Sequence, residues 1–262
     1  METELLTSPA NPLVKEIRRA VARGTLTRQG YAVAEGFHLL DEALRSGCRI
    51  EAVAVSQAAR EAVGQRTAAL SGARRMTLAE AHFRAIASTE ASQGVLTLVR
   101  PPEWGVEDLF GPQPLVVVLD GIQDPGNAGA ILRAAEAFGA SGAIFVKGTV
   151  SPYNPKALRA SAGSVFRVPL VTQLDAEETL AALRAHGLRV YAAMPAARAS
   201  IAGADLTLPC AFLIGSEGAG VGERLRAGAS EVRIPVSGVE SLNAALAAGV
   251  LLYEARRQRS GA

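Results

Sequence analysis

IPVSGVESLNAALAAGVLLYE, residues 234–254, joins a polar loop to a strongly apolar helix. A proline and a glycine predict turns in the first half, and the residues from Ala244 onward favour a helix. A helix that is apolar on every side is expected to be buried on most sides. Asn243 stands where a helix cap would stand. Ser241 and Asn243 therefore flank free backbone N–H groups that are able to bind a ligand.

The composition describes a folded chain rather than a disordered or membrane-spanning one. The 262 residues suffice for one large or two ordinary domains, and 49% of them are hydrophobic. The longest apolar run, near Ala244–Leu252, is too short to span a bilayer, and the first residues lack a signal-peptide core. Two isolated cysteines and three scattered histidines indicate no metal site. We expect a cytoplasmic protein without a membrane segment or a bound metal.

Positive charge is concentrated near the N-terminus. Residues 1–100 contain 13 basic and 10 acidic side chains, whereas the remainder contains 14 and 15. Five basic residues lie close together, with only Glu16 opposing them: Lys15, Arg18, Arg19, Arg23 and Arg28. A solvated helix face and a phosphate-contacting RNA surface both explain this cluster.

The pattern of strands and helices predicts two domains. Residues 1–100 have the pattern of a small α/β unit, and the proline- and glycine-rich residues 101–114 predict a linker. From residue 115 to residue 262, apolar strands alternate with helices, which predicts a mostly parallel α/β sheet. One of these strands is expected over residues 165–170. Ligands of such sheets bind beyond the carboxyl ends of the strands.

Two further loops follow apolar strands in the second domain. The first is LDGIQDPGNAGAILRAA, residues 119–135. In it, Asn127 is interpreted either as a plain helix cap or as a functional amide. Arg133 has the alternatives of an ion pair with Glu136 or a functional guanidinium. In LIGSEGAGV, residues 213–221, glycines surround a single carboxylate, and a simple tight turn is the alternative to a ligand loop.

The three loops together resemble the motifs of the SpoU/TrmH class of SPOUT RNA methyltransferases. The resemblance covers roughly residues 115–258, and residues 1–100 are similar to the small ribosomal-protein-like substrate-binding domain of many members. It implies a C-terminal trefoil knot in the parallel sheet and S-adenosylmethionine held in that knot. It also implies a homodimer with the active site near its interface, and methyl transfer to a ribose 2′-hydroxyl of RNA.

The resemblance also implies roles for individual residues. The family's catalytic positions fall on Asn127, Arg133, Glu217, Ser241 and Asn243. Its cofactor contacts fall on Gly215, Ile234 and Leu242, largely through the backbone. Because arginine resists deprotonation, we expect Arg133 to clamp the phosphate beside the target ribose rather than act as a base. Glu217 and Asn127 would hold its guanidinium group, and Ser241 and Asn243 would position the ribose or an RNA phosphate.

Ribosomal RNA is the expected substrate, because an RNA-binding domain precedes the catalytic one; transfer RNA is the alternative. A second reading is a non-catalytic RNA-binding protein with a relict cofactor site, which the five intact polar positions disfavour. A third is a nucleotide-binding oxidoreductase, which the missing G-x-G-x-x-G fingerprint disfavours.

Overall fold

The computed structural model describes residues 4–6, 11–65, 70 and 72–260. The chain forms two compact units. The first comprises Met1–Glu103 with Tyr153–Phe166, and the second comprises Trp104–Pro152 with Arg167–Ala262. The second unit therefore lacks one segment, residues 153–166, that the sequence predicts to be part of it.

Each unit is built on one sheet. In chain order the strands are β1 Glu4–Leu6, β2 Ala32–Glu35, β3 Arg49–Ser56, β4 Arg74–Leu78, β5 Val95–Arg100, β6 Leu115–Asp120, β7 Gly142–Val146, β8 Leu170–Leu174, β9 Arg189–Ala193, β10 Cys210–Gly215 and β11 Ser230–Val232. The first unit has a mixed sheet in the order β1-β4-β3-β5-β2. The second has a six-stranded sheet in the order β11-β9-β10-β6-β7-β8, and every neighbouring pair in it is parallel. The predicted parallel α/β sheet is confirmed.

Helices connect these strands. In chain order they are α1 Pro12–Arg23, α2 Phe37–Arg45, α3 Arg60–Gly64, α4 Glu80–Arg84, α5 Pro125–Ala137, α6 Pro155–Ser161, α7 Ala176–Ala185, α8 Glu223–Arg226 and α9 Ala244–Ser260. Over the described ranges, none of the helices is long and apolar enough to cross a membrane.

The strand predicted over residues 165–170 is wrong. Residues Ser164–Phe166 form a 3-10 helix instead, and the strand begins at Leu170. Ala162 and Gly163 precede it with φ values of 48° and 91°, so the backbone turns where the apolar run begins. Val165 and Phe166 are buried, and burial rather than strand geometry accounts for their apolar character.

The predicted linker, residues 101–114, packs on the second unit over part of its length. Val106–Leu109 forms a 3-10 helix, and Leu109 is fully buried in the core of the parallel sheet. The ring of Phe110 stacks on His186 with centroids 3.7 Å apart. These apolar side chains pack the segment against the second unit, although its prolines and glycines predict a linker.

A buried carboxylate in the first unit explains why the segment with α6 belongs there. Arg159 of α6 donates a hydrogen bond to the Ser88 hydroxyl over 2.6 Å. Glu35 at the end of β2 accepts from the Ser88 hydroxyl, from the Ser88 backbone N–H at 2.8 Å and from the Thr89 hydroxyl at 2.6 Å. Burial raises the pKa of Glu35, but these hydrogen bonds outweigh it and lower the pKa below its usual value.

Candidate active site

A pocket of about 380 Å³ lies at the carboxyl edge of the parallel sheet, where β9, β10 and β11 end. The loop after β10 and the loop before α9 complete its walls. All three residues predicted to bind the cofactor line it, namely Gly215, Ile234 and Leu242. Glu217 and Ser241 also line it. The structure thus brings the second and third sequence motifs around one cavity, as expected for ligands of parallel sheets.

Three predicted catalytic residues from three separate motifs form one hydrogen-bonded group, which we call the polar trio: Asn127, Glu217 and Asn243. The Asn127 Nδ2 donates to Glu217 Oε1 at 2.9 Å. The Asn243 Nδ2 donates to the same oxygen at 2.8 Å and to Asn127 Oδ1 at 3.0 Å. One carboxylate oxygen therefore holds both amides in a fixed orientation.

The two asparagines of the trio differ in their relation to the helices. Asp124, not Asn127, caps α5, because its side chain accepts from the Gly126 N–H at 3.0 Å. The plain-cap alternative for Asn127 is wrong, and its amide is left for the trio. Asn243 is a cap as predicted: its Oδ1 accepts from the N–H groups of Ala245 at 2.9 Å and Leu246 at 3.3 Å. Its Nδ2 serves the trio at the same time.

Arg133 does not join the trio. It lies six residues beyond Asn127 on α5, which places it about 9 Å along the helix and about 120° around the axis. Its side chain is exposed and forms no hydrogen bond or ion pair with any residue that the structure describes. Within one chain, Glu217 and Asn127 therefore do not hold its guanidinium group, since those two residues bond to each other.

The alternative of an ion pair between Arg133 and Glu136 is wrong as well. Glu136 instead accepts hydrogen bonds from the guanidinium group of Arg167, one of them at 3.0 Å from Nη2. Arg133 is thus an exposed cation in the second half of α5 without a structural partner in the described parts of the chain. An exposed arginine of this kind is free to bind an RNA phosphate.

The basic cluster of the first unit divides between a groove and an open helix face. A groove of about 800 Å³ is lined by Lys15, Arg19, Arg28 and Arg74, with Glu16 as its acidic member. The remaining two predicted RNA-binding residues, Arg18 and Arg23, are exposed on α1 outside the lining of this groove. Arg74, on β4, is a groove residue that the sequence did not single out.

Three residues around the pocket were also missed from the sequence. Asp120, at the end of β6, accepts from the Gly222 N–H at 2.6 Å and so holds the loop that follows β10. Met194 follows β9, and Glu240 precedes Ser241; both line the pocket. Asp120 was detectable as a polar residue ending an apolar strand. Glu240 was within the quoted motif, but nothing in the pattern distinguished it from a solvated loop residue.

Gly215 sits where the chain approaches itself most closely in the pocket wall. A side-chain carbon at this position would overlap the backbone of Gly220 and Val221. The loop closes back on itself here, with the Gly220 N–H donating to the Ser216 carbonyl at 2.9 Å. Glycine is required at position 215 because two backbone segments are in direct contact there.

The six-stranded parallel sheet and the pocket at its carboxyl edge define the second unit as an α/β domain with a ligand site at the ends of its strands. The sequence matches the SpoU rRNA methylase family over residues 114–253, which is more than half of the chain. The chain belongs to this family. Residues 11–97 match the MRM3-like substrate binding domain.

Relatives align over nearly the whole chain. An uncharacterised tRNA/rRNA methyltransferase of Synechocystis is 36% identical, covering 97% of this chain and 94% of the relative. The 23S rRNA (guanosine(2553)-2′-O)-methyltransferase of Bacillus subtilis is 30% identical, covering 95% and 98%. The crystal structure of an AdoMet-bound rRNA methyltransferase from Sinorhizobium meliloti superposes with a TM-score of 0.83 at 33% identity, covering 97% of this chain and 98% of that chain.

The pocket residues fit S-adenosylmethionine. Apolar side chains such as Ile214, Ile234 and Leu242 offer surfaces for an adenine ring, and glycine backbone allows close approach of the ligand. Glu217 and Glu240 supply negative charge for a cofactor that carries a positive sulfonium. S-adenosylmethionine is the cofactor, and Gly215, Ile234 and Leu242 are the residues that would hold it.

Proposed function

We propose that the chain methylates the 2′-hydroxyl of a ribose in ribosomal RNA. The observation that carries this proposal is the polar trio beside the cofactor pocket, since it fixes the amides and the carboxylate of three motifs in one place. Ribosomal RNA is preferred over transfer RNA, because the Bacillus subtilis relative that aligns over nearly the whole chain is a 23S rRNA enzyme.

The cofactor supplies an electrophilic methyl carbon, and the chain's own residues position the acceptor. Oε1 of Glu217 is occupied by the two amides of the trio, so its second oxygen faces no donor among the described residues. That oxygen is able to accept a hydrogen bond from the ribose hydroxyl and share its proton. Ser241, exposed in the pocket wall, is placed to bind the ribose or its phosphate. Arg133 clamps the phosphate beside the target ribose.

Mapping ribose methylation in a deletion strain tests the proposed reaction. We expect one 2′-O-methyl site in ribosomal RNA to disappear on deletion, to return with the wild-type gene, and to stay absent with the Arg133→Ala variant. Loss of a site in transfer RNA instead would contradict the ribosomal assignment. No change in either RNA would favour the non-catalytic alternative.

The groove of the first unit is the RNA-binding surface that we propose for residues 1–100. Replacing Lys15, Arg19 and Arg28 together by glutamine should weaken RNA binding and reduce the log–log salt slope by roughly 2 to 3, since each lost phosphate contact removes about 0.7–0.9. Filter binding over a salt series measures the slope.

The pair Arg18→Gln with Arg23→Gln provides a matched control, because both residues lie on α1 outside the groove lining. The sequence predicts RNA contact for both residues, so we expect this pair to weaken binding too, but less per residue than the three groove substitutions, because neither residue lines the groove. Equal losses per residue in the two sets would show that the whole helix face, rather than the groove, contacts RNA. Unchanged RNA binding in both sets of variants would reject the proposal that this surface contacts RNA.

We also propose a homodimer that uses α9. Its side chains Leu246, Val250 and Tyr253 are 62%, 40% and 53% exposed and share one helix face, so the expected burial on most sides is wrong within a single chain. Val236 and Val239 of the preceding loop are exposed as well. An apolar patch of this kind marks a protein interface.

Light scattering tests the dimer. Leu246→Glu should convert a dimer at micromolar concentration into a monomer, because it places a charge on the apolar face at its most exposed residue on α9. Leu208→Glu is the matched control, since Leu208 is also an exposed apolar residue of the second unit, at 41%. A wild-type monomer, or equal effects of the two changes, would contradict the assignment to α9.

The trefoil knot is likewise part of the proposal. It is supported by the match of residues 114–253 to the SpoU family, and by the common pocket of the two loops that follow β10 and β11. The resemblance of residues 1–100 to a ribosomal protein and the cytoplasmic location of the enzyme stay predictions.

A further inference from the structure

The cofactor pocket presents only negative charge on its side chains. Most of its lining is apolar side chain or glycine backbone. Two carboxylates, Glu217 and Glu240, are the charged groups among the described lining residues, which include no lysine, arginine or histidine. The pocket therefore favours a ligand that carries positive charge.

The two carboxylates are held differently. Glu217 is fixed by the amides of Asn127 and Asn243, at 2.9 Å and 2.8 Å. Glu240 lies on the loop before α9, is exposed, and makes no hydrogen bond or ion pair with any described residue. The negative charge of Glu240 is therefore not neutralised by the protein and is available to a ligand.

S-adenosylmethionine differs from its demethylated product in charge as well as in size. The methyl group leaves without the bonding electron pair, which stays on sulfur. The sulfonium thus becomes a neutral thioether, while the ribose oxygen gains the methyl group and gives its proton to a base, for which the second oxygen of Glu217 is placed. The adenine, ribose and amino-acid groups are unchanged. A carboxylate in the pocket wall attracts the sulfonium and has no such attraction to the thioether.

We propose that Glu240 is a specificity-determining residue that makes the pocket prefer S-adenosylmethionine over the demethylated product. The consequence is weaker product inhibition, since the spent cofactor loses this attraction when its methyl group is transferred. The inference rests on the cofactor of the proposed function and is independent of which RNA is methylated.

Calorimetric titration of the full chain without RNA tests this. Glu240→Gln should weaken binding of S-adenosylmethionine by about three- to fivefold, the range for an exposed ion pair, and leave binding of the product within about twofold. Raising the ionic strength from about 0.05 M to about 0.5 M should reduce the wild-type preference and not that of the variant. Glu223→Gln is the matched control, because Glu223 is an exposed carboxylate of the same unit outside the pocket.

The outcomes separate the explanations. Equal weakening of both ligands by Glu240→Gln would show a structural role for the loop and overturn the inference, as would no change in either ligand. If the wild-type chain bound neither ligand, the assignment of S-adenosylmethionine as its cofactor would be rejected as well. A preserved ligand preference in a chain that fails to methylate ribosomal RNA would reject the proposed substrate and leave the role of Glu240 intact.

Discussion

Arg133→Ala is expected to reduce methyl transfer by at least about 100-fold, a loss typical of removing one group that stabilises a transition state. Affinity for S-adenosylmethionine should stay within about twofold, because Arg133 is not among the residues that line the pocket. Single-turnover methylation of RNA and calorimetry of the cofactor measure the two quantities separately. A comparable loss in both would place Arg133 in cofactor binding instead.

The conservative variant tests how Arg133 acts. Arg133→Lys keeps the charge but loses the planar fork that binds a phosphate through two parallel hydrogen bonds, so we expect it to be badly impaired too. Full activity of the lysine variant would show that position 133 needs only a positive charge and would reject the bidentate contact. Arg167→Ala is a useful control on stability, because Arg167 is bound to Glu136, which lies on α5 together with Arg133.

A complementation experiment tests whether Arg133 serves the active site of its own chain or that of the partner chain. In its own chain Arg133 points about 120° away from Asn127, so we expect it to serve the active site of the partner chain in the proposed homodimer. Co-expressed Arg133→Ala and Glu217→Gln chains, each inactive alone, should then regain activity in the mixed dimer. A mixed dimer as inactive as its parents would assign both residues to one chain.

The sequence predicted which motifs lie together better than it predicted the packing around them. Asn127, Glu217 and Asn243 were singled out from three separate motifs, and the structure joins them through hydrogen bonds. This succeeded because loops at the carboxyl ends of parallel strands must meet at one edge of the sheet. The same logic could not place Arg133, since it applies to loops at the edge of the sheet, whereas Arg133 lies well inside α5. Moving the cap from Asn127 to Asp124 shows that the predicted start was late.

Segments whose structure depends on distant partners were predicted poorly. The backbone of β4, Arg74–Leu78, pairs with β3, and its sequence RRMTL lacks the alternation of a half-buried strand. The segment with α6 belongs to the first unit through the contact of Arg159 with Ser88, 71 residues earlier. Local periodicity contains no information on such a contact. The apolar face of α9 was read as buried, because a pattern of side chains does not distinguish a protein core from an interface between chains.

Asn243→Asp is expected to separate the structural role of Asn243 from its role in the trio. Aspartate keeps the oxygen that caps α9 through Ala245 and Leu246, so the melting temperature should change by only a few degrees. It replaces the Nδ2 donor by a carboxylate oxygen beside Glu217 Oε1, which lies 2.8 Å from the native amide nitrogen. Two like charges at that distance repel, and neither donates a hydrogen bond.

Methyl transfer by this variant should therefore fall by at least about 100-fold while the fold is preserved. Asn243→Ala should lose activity and also about 1 kcal/mol of stability, since it removes the cap as well. Asn154→Asp is the matched control, because Asn154 caps α6 in the same way, accepting from the Lys156 N–H at 2.9 Å, and is remote from the trio in sequence. Melting curves and single-turnover methylation of all three variants give the comparison. An active Asn243→Asp enzyme would show that the trio only positions the helix, whereas a stable, inactive one assigns the Nδ2 donor to the reaction.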